Sequence, residues 1–243
     1  MPRKSTPRAK DSGFVVEVNN ATGRTSFWEK DIHHSLADGQ GVSTADYIHA
    51  MYGFLRQAKC RHVLMIGCGG GTLATMLRRV GVTVTVADID GRSFEIAKTY
   101  FHMSPTIECH IADGEAFLKH DTRTFDGIVL DAYSDNDLPP HFRKVRFFNL
   151  IKARLKARGA IVLLNLISAG DDDHGPDRIA RLMQRTWSRV RLLDVLGREG
   201  RNVIAAAGAV KNLKPPRLMM RPKRCVKTLA RELRAMDFRP VRT

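Results

Sequence analysis

Three aspartates close three apolar runs of this chain, each where an acid could meet a ligand. Asp88 ends the β-branched run that begins at Thr83, Asp113 follows the run Ile107 to Ile111, and Asp131 follows Phe125 to Leu130. Ahead of them lies a glycine cluster, Gly67, Gly69, Gly70 and Gly71, entered from the apolar run Val63 to Ile66. Glycines let a backbone approach a nucleoside closely, and a carboxylate roughly 20 residues on can accept both ribose hydroxyls. The spacing narrows the ligand. A phosphate-binding loop needs Lys and Ser/Thr after its glycines, whereas Gly71 is followed by Thr72 and Leu73. A dinucleotide site wants G-x-G-x-x-G. The pattern here, Gly67-Cys68-Gly69-Gly70-Gly71, is G-x-G-x-G, which suits S-adenosylmethionine, whose adenosine needs no pyrophosphate cradle. Cofactor contacts are therefore expected from the four glycines, from Asp88 on the ribose, and from Asp113 with Gly114 at the adenine.

The elements that must position these residues follow from periodicity. From Val63 to Leu166 apolar runs alternate with amphipathic stretches, which predicts a mostly parallel seven-stranded sheet with helices on both faces and one antiparallel strand. Open α/β sheets bind ligands at the carboxyl ends of their strands, where all three aspartates fall. Helices are expected over 44–58 (capped by Ser43 or Thr44), 73–80, 90–103, 140–158 and 176–187. Ala160 to Leu166 reads as a buried strand, and Val190 to Val195 and Asn202 to Ala207 as the closing strands. Phe14 to Leu36 alternates apolar and polar residues around turn-forming Asn19-Asn20 and Ala21-Thr22-Gly23, so it reads as short antiparallel strands. The expected division is a basic disordered tail (1–12), a small β element (13–42), a Rossmann-like domain (43–210) and a basic helical extension (211–243).

Several segments together resemble the spermidine synthases, polyamine aminopropyltransferases built on the class I methyltransferase fold. Leu36-Ala37-Asp38-Gly39-Gln40 is similar to the family's Leu-x-Asp-Gly-x-x-Gln, and Ala87-Asp88-Ile89-Asp90 to its Val-Glu-Ile-Asp. Ala112-Asp113-Gly114-Glu115-Ala116-Phe117-Leu118 resembles Gly-Asp-Gly-x-x-Phe-Leu. Leu130-Asp131-Ala132-Tyr133-Ser134-Asp135, followed by Leu138-Pro139-Pro140-His141-Phe142, resembles the catalytic acid loop, most closely in a divergent branch. The likeness runs from about residue 36 to 166. It departs at Gly70, where the family carries an Asp, in the one-position displacement of the second acid to Asp135, and at Ile48-His49-Ala50-Met51 against Tyr-His-Glu-Met.

The resemblance implies a Rossmann-like, methyltransferase-type sheet behind a small N-terminal β element. Its co-substrate would be decarboxylated S-adenosylmethionine, or S-adenosylmethionine itself, with no metal. Asp131 is the expected catalytic residue, since a carboxylate beside an amine can take its proton and align its lone pair. Asp135, Tyr47, His49 and Gln40 are the expected substrate contacts. The partner would be a small-molecule amine, and a homodimer is expected.

Charge and composition frame these readings. The 243 residues carry a net charge of +15, with 40 Lys+Arg against 25 Asp+Glu. Such a field attracts polyanions, so nucleic acid could bind through the basic segment 211–243, although Val226, Leu229, Ala230, Leu233 and Met236 also form a packing stripe there. No run approaches about 18 apolar residues and the first ten residues lack a signal-peptide core, so no membrane partner and a cytoplasmic location are expected. The four cysteines are isolated and read as reduced. Asp171 to Asp173 reads as a solvated loop, with His141 and His174 at the surface. Three functions remain open at this point: aminopropyl transfer, methyl transfer from intact S-adenosylmethionine, and non-catalytic binding on the same fold.

Overall fold

The computed structural model describes residues 13–29, 32–133 and 137–242. The basic tail 1–12 and the candidate Asp135 lie outside the described residues. A three-stranded antiparallel sheet comes first, β1 (Phe14–Asn19), β2 (Arg24–Glu29) and β3 (Ile32–Ala37). The β1–β2 turn closes as its polar residues require, with the Thr22 and Gly23 N–H groups donating to the Asn19 carbonyl. Phe14, Val16 and Phe27 bury against Phe101 of the main domain and fix the small sheet over the strand ends.

The main sheet contains β4 (His62–Ile66), β5 (Thr83–Asp88), β6 (Glu108–Ile111), β7 (Gly127–Leu130), β8 (Ile161–Ser168), β9 (Val190–Asp194), β10 (Arg201–Gly208) and β11 (Asp237–Arg239). Their order is β11-β9-β10-β8-β7-β4-β5-β6. Strands β6, β5, β4, β7 and β8 pair in parallel, while β10 runs antiparallel to both β8 and β9. The central strands are buried on both faces, as a parallel sheet covered by helices demands. One face packs α1 (Asp46–Gln57), α2 (Thr72–Arg78), α3 (Gly91–Tyr100) and α7 (Val226–Ala235). The other packs α4 (Gly114–His120), α5 (Val145–Ala153) and α6 (Gly175–Gln184).

Three expectations are corrected. The seven strands expected over residues 60–210 are present as β4 to β10, but the extension expected to be helical also adds β11, an eighth strand antiparallel to β9. Three residues are too short to show a strand period. Ion pairs hold them in place: Arg239 reaches Asp194 at 2.6 Å and Asp177 at 2.7 Å. The first helix begins at Asp46, not at Thr44. The Thr44 N–H donates to Leu36 and the Ser43 hydroxyl accepts from Ala45, so both belong to the turn before it. The expected helix 140–158 is only α5. Pro139 starts a turn closed by the Phe142 N–H, and Leu155 bridges to Phe125. The stripe on the C-terminal helix packs inward, with Leu229, Leu233 and Met236 joining the core of the α1 face.

Candidate active site

Asp88, Asp113 and Asp131 each sit where a strand ends at the cleft. Val63 to Ile66 is an apolar strand that must stop at Gly67, whose φ is +96°. A Cβ there would lie 2.1 Å from the Asp131 carbonyl, so only glycine allows β4 and β7 to close at this point. Together with the small sheet, the strand ends enclose a cleft of about 960 Å³, within the range that holds a nucleoside and a second small molecule. Gly67, Gly69, Asp88, Asp113, Gly114, Asp131 and Tyr47 all line it.

Asp88 holds the turn together. Its Oδ2 accepts the Cys68 N–H at 2.7 Å and its Oδ1 the Asp90 N–H at 2.8 Å. Burial raises its pKa, and the two backbone donors partly offset that. Ile89 beside it is 75% exposed and also lines the cleft, offering it an apolar surface. Asp113 caps α4, accepting the Glu115 and Ala116 N–H groups on Oδ1, while its Oδ2 lies 2.8 Å from His141 Nε2. His141 was expected at the surface; it lines the cleft instead.

Asp131 follows β7, half-buried in the cleft. Its Oδ1 accepts the Asn165 Nδ2 donor at 2.8 Å, and it has no cationic partner among the described residues. Burial pushes its pKa up to about 6, against the smaller opposing effect of the Asn165 amide. Asn165 is itself oriented from two sides. Its Oδ1 accepts from Asn202 at 2.9 Å, and its backbone carbonyl accepts the Tyr133 hydroxyl. Tyr47 and Tyr133 face the same charge. Burial raises both phenols well above their usual pKa, and Asp131 adds to the rise. Both tyrosines are therefore neutral donors.

Four candidates fall outside the cleft. His49 is fully buried, its Nε2 2.7 Å from the Ser43 carbonyl, and burial lowers its pKa. It supports the turn before α1 and does not line the cleft. Gln40 donates its backbone N–H to Asp38, and its carbonyl accepts from Arg79. Gly70 donates to the Ser35 hydroxyl at 2.8 Å, and a Cβ on it would meet Ser35 Cβ at 2.8 Å and the Phe101 ring at 3.0 Å. Gly71 is the left-handed cap of α2.

Sequence reading missed Asn165, Asn202, Asp46 and Arg198, which all line the cleft. Asn165 left a signal, being the one amide in the apolar run Ile161 to Ile167. A lone amide in a doubly buried strand must find partners. The other three come together only through the fold. Among the described residues no cluster of metal-ligating side chains occurs, and no helix is long and apolar enough to cross a membrane.

The fold and cleft define an α/β protein of the methyltransferase type, and a methyltransferase-domain family matches residues 63–159. Over 110 residues, 44% of this chain, it is 31% identical to a probable polyamine aminopropyl transferase of Bifidobacterium longum. That match spans 25% of the relative's length, and a 27% identical match to polyamine aminopropyltransferase 2 of Pseudomonas aeruginosa spans 40%. In structure the chain is similar to a probable spermidine synthase from Corynebacterium glutamicum, with a TM-score of 0.73 at 16% identity, covering 99% of this chain and 92% of that one. Over part of its length the chain is similar in sequence to polyamine aminopropyltransferases, and its fold is similar to that of a probable spermidine synthase.

Proposed function

We propose that this protein transfers an aminopropyl group from decarboxylated S-adenosylmethionine to a small amine. The observation that carries the reading is Asp131. It is a half-buried carboxylate facing the cleft, hydrogen-bonded to a neutral amide and to no cation among the described residues. Burying an acid unpaired is costly unless a ligand supplies the missing positive charge. Around it the cleft is acidic, although the chain as a whole is strongly basic. Asp46, Asp88, Asp90, Asp113 and Glu29 share the wall with Asp131.

The residues present fit the adenosine part of such a co-substrate. Asp88 carries free lone pairs beside a glycine turn, Asp113 and Gly114 close the adenine end, and Ile89 offers an apolar face. The bound sulfonium would supply the activated carbon. Asp131 would draw in the acceptor ammonium, take its proton and align the lone pair, while Asn165 and Asn202 hold the carboxylate in one orientation. Tyr47, kept neutral, would donate a hydrogen bond to the acceptor without adding charge, while Tyr133 donates its hydroxyl proton to the Asn165 carbonyl.

Gly70 supports a second reading, methyl transfer from intact S-adenosylmethionine. Its Cβ direction is filled by Ser35 and Phe101, so this turn offers no acid to an aminopropyl ammonium. Incubation with each sulfonium and a panel of amines, followed by product mass, separates the two. Methylthioadenosine formation supports aminopropyl transfer, and S-adenosylhomocysteine formation supports methyl transfer.

A further inference from the structure

The cleft also carries a cation close to its acids, and this decides which amines fit. The tip of the β9–β10 hairpin places Arg198 on the wall, where Nη1 pairs with Asp46 Oδ2 at 2.9 Å. Asp46 precedes Tyr47, and Asp46, Tyr47, Arg198 and Asp131 all line the same cleft, so guanidinium and unpaired carboxylate belong to one region.

Arg198 is held from behind. The Gly197 N–H donates to Asp171 at 2.9 Å, and buried Arg201 donates to the Arg198 carbonyl at 2.5 Å. Arg201 is itself fixed by Asp194 at 2.6 Å and Asp171 at 2.9 Å. Thus Asp171, expected in a solvated loop, anchors this hairpin tip. The Nε and Nη2 donors of Arg198 have no partner among the described residues, and its side chain is 48% exposed. A guanidinium has five donors and can serve two carboxylates at once.

A diamine needs two acidic ends. Asp131 offers one; beside Tyr47 the next acid is Asp46, already neutralised by Arg198, so a second ammonium there would meet a guanidinium. A carboxylate in the same place meets an open fork. We propose that the acceptor is an amine that also bears a carboxylate, its ammonium on Asp131 and its carboxylate on the free edge of Arg198. The proposal rests on the transfer reading for the identity of the acceptor end.

Calorimetry on the full chain saturated with methylthioadenosine tests it. The probes are 4-aminobutyrate, 5-aminovalerate and 6-aminohexanoate, each beside its matched diamine and its matched monoamine. At least one amino acid should bind about tenfold more tightly than its matched amines, as a charge-assisted bidentate contact would give. Arg198→Gln should collapse that preference, and Arg198→Lys, which keeps the charge but not the fork, should restore only part of it. Tighter binding of every diamine in the wild type overturns the proposal, as does a carboxylate preference that survives Arg198→Gln. The wild-type ranking decides the matter if the variants do not fold. Methylthioadenosine release from decarboxylated S-adenosylmethionine, run in parallel, separates the two failures. Transfer to diamines alone sinks the carboxylate proposal and leaves the transfer reading standing. Arg198-dependent binding without any transfer does the reverse.

Discussion

Replacing Asp131 by Asn should make the protein more stable at neutral pH while removing its activity. The carboxylate is half-buried in the cleft and its pKa stands at about 6, against an ordinary 3.8. A shift of that size, at ~1.4 kcal/mol per unit, corresponds to roughly 3 kcal/mol of destabilisation once the group is ionised in both states. The sign follows from the direction of the shift. Below the unfolded value both states are protonated and there is no cost. Between about 4 and about 6 the unfolded chain loses its proton first and stability falls, and above about 6 the full cost remains. Asn keeps an oxygen for the Asn165 donor at 2.8 Å and carries no charge. Its own amide brings new donors, whose incomplete pairing costs about 1 kcal/mol. Urea unfolding should therefore show Asp131→Asn more stable by about 2 kcal/mol at pH 8 and less stable by up to about 1 kcal/mol at pH 4, where only the amide cost remains, with unchanged denaturant dependence. Equal or lower stability of the variant at pH 8 would refute the account of Asp131 as a strained, unpaired acid, and so would a gain of the same size at both pH values.

Asp88→Ala should weaken methylthioadenosine by roughly 1–3 kcal/mol in calorimetry, since two ribose hydroxyls lose a charged acceptor; unchanged affinity would show the ribose acid to be misassigned. Arg239→Ala should lower stability by about 3–5 kcal/mol, because Asp177 and Asp194 are buried and share its guanidinium. A loss below about 1 kcal/mol in denaturant unfolding would mean that β11 is not anchored by this network. Nucleic-acid binding through the basic segment 211–243, if measured by fluorescence anisotropy, should fall steeply as salt rises. Binding insensitive to salt, or none at low salt, leaves α7 with its packing role alone.

The strand–turn–helix–strand around Gly67 was legible because its causes are local. A parallel strand reads as an apolar run, a close backbone approach demands glycine, and a strand end exposes the residue after it. For the same reason Asp88, Asp113 and Asp131 could be placed at one edge of the sheet before any coordinates. What failed depended on contacts distant in sequence. His49 lies one turn into α1 and looks available, yet the Ser43 carbonyl and the surrounding core enclose it. Gly70 sits inside the motif, but Ser35 of the small sheet takes its N–H. Asn165, Asn202 and Arg198 reach the cleft only because β8, β10 and the hairpin tip converge there. β11 escaped because ion pairs with Asp177 and Asp194, not an apolar period, specify its place.

The central claim is most directly tested by single-turnover methylthioadenosine release from decarboxylated S-adenosylmethionine with amine acceptors, comparing wild type with Asp131→Asn. The account predicts release by the wild type and a loss of about 10²–10⁴-fold in the variant, with methylthioadenosine affinity nearly unchanged. Equal rates in the two proteins, or wild-type protein that transfers only a methyl group from intact S-adenosylmethionine, would contradict it.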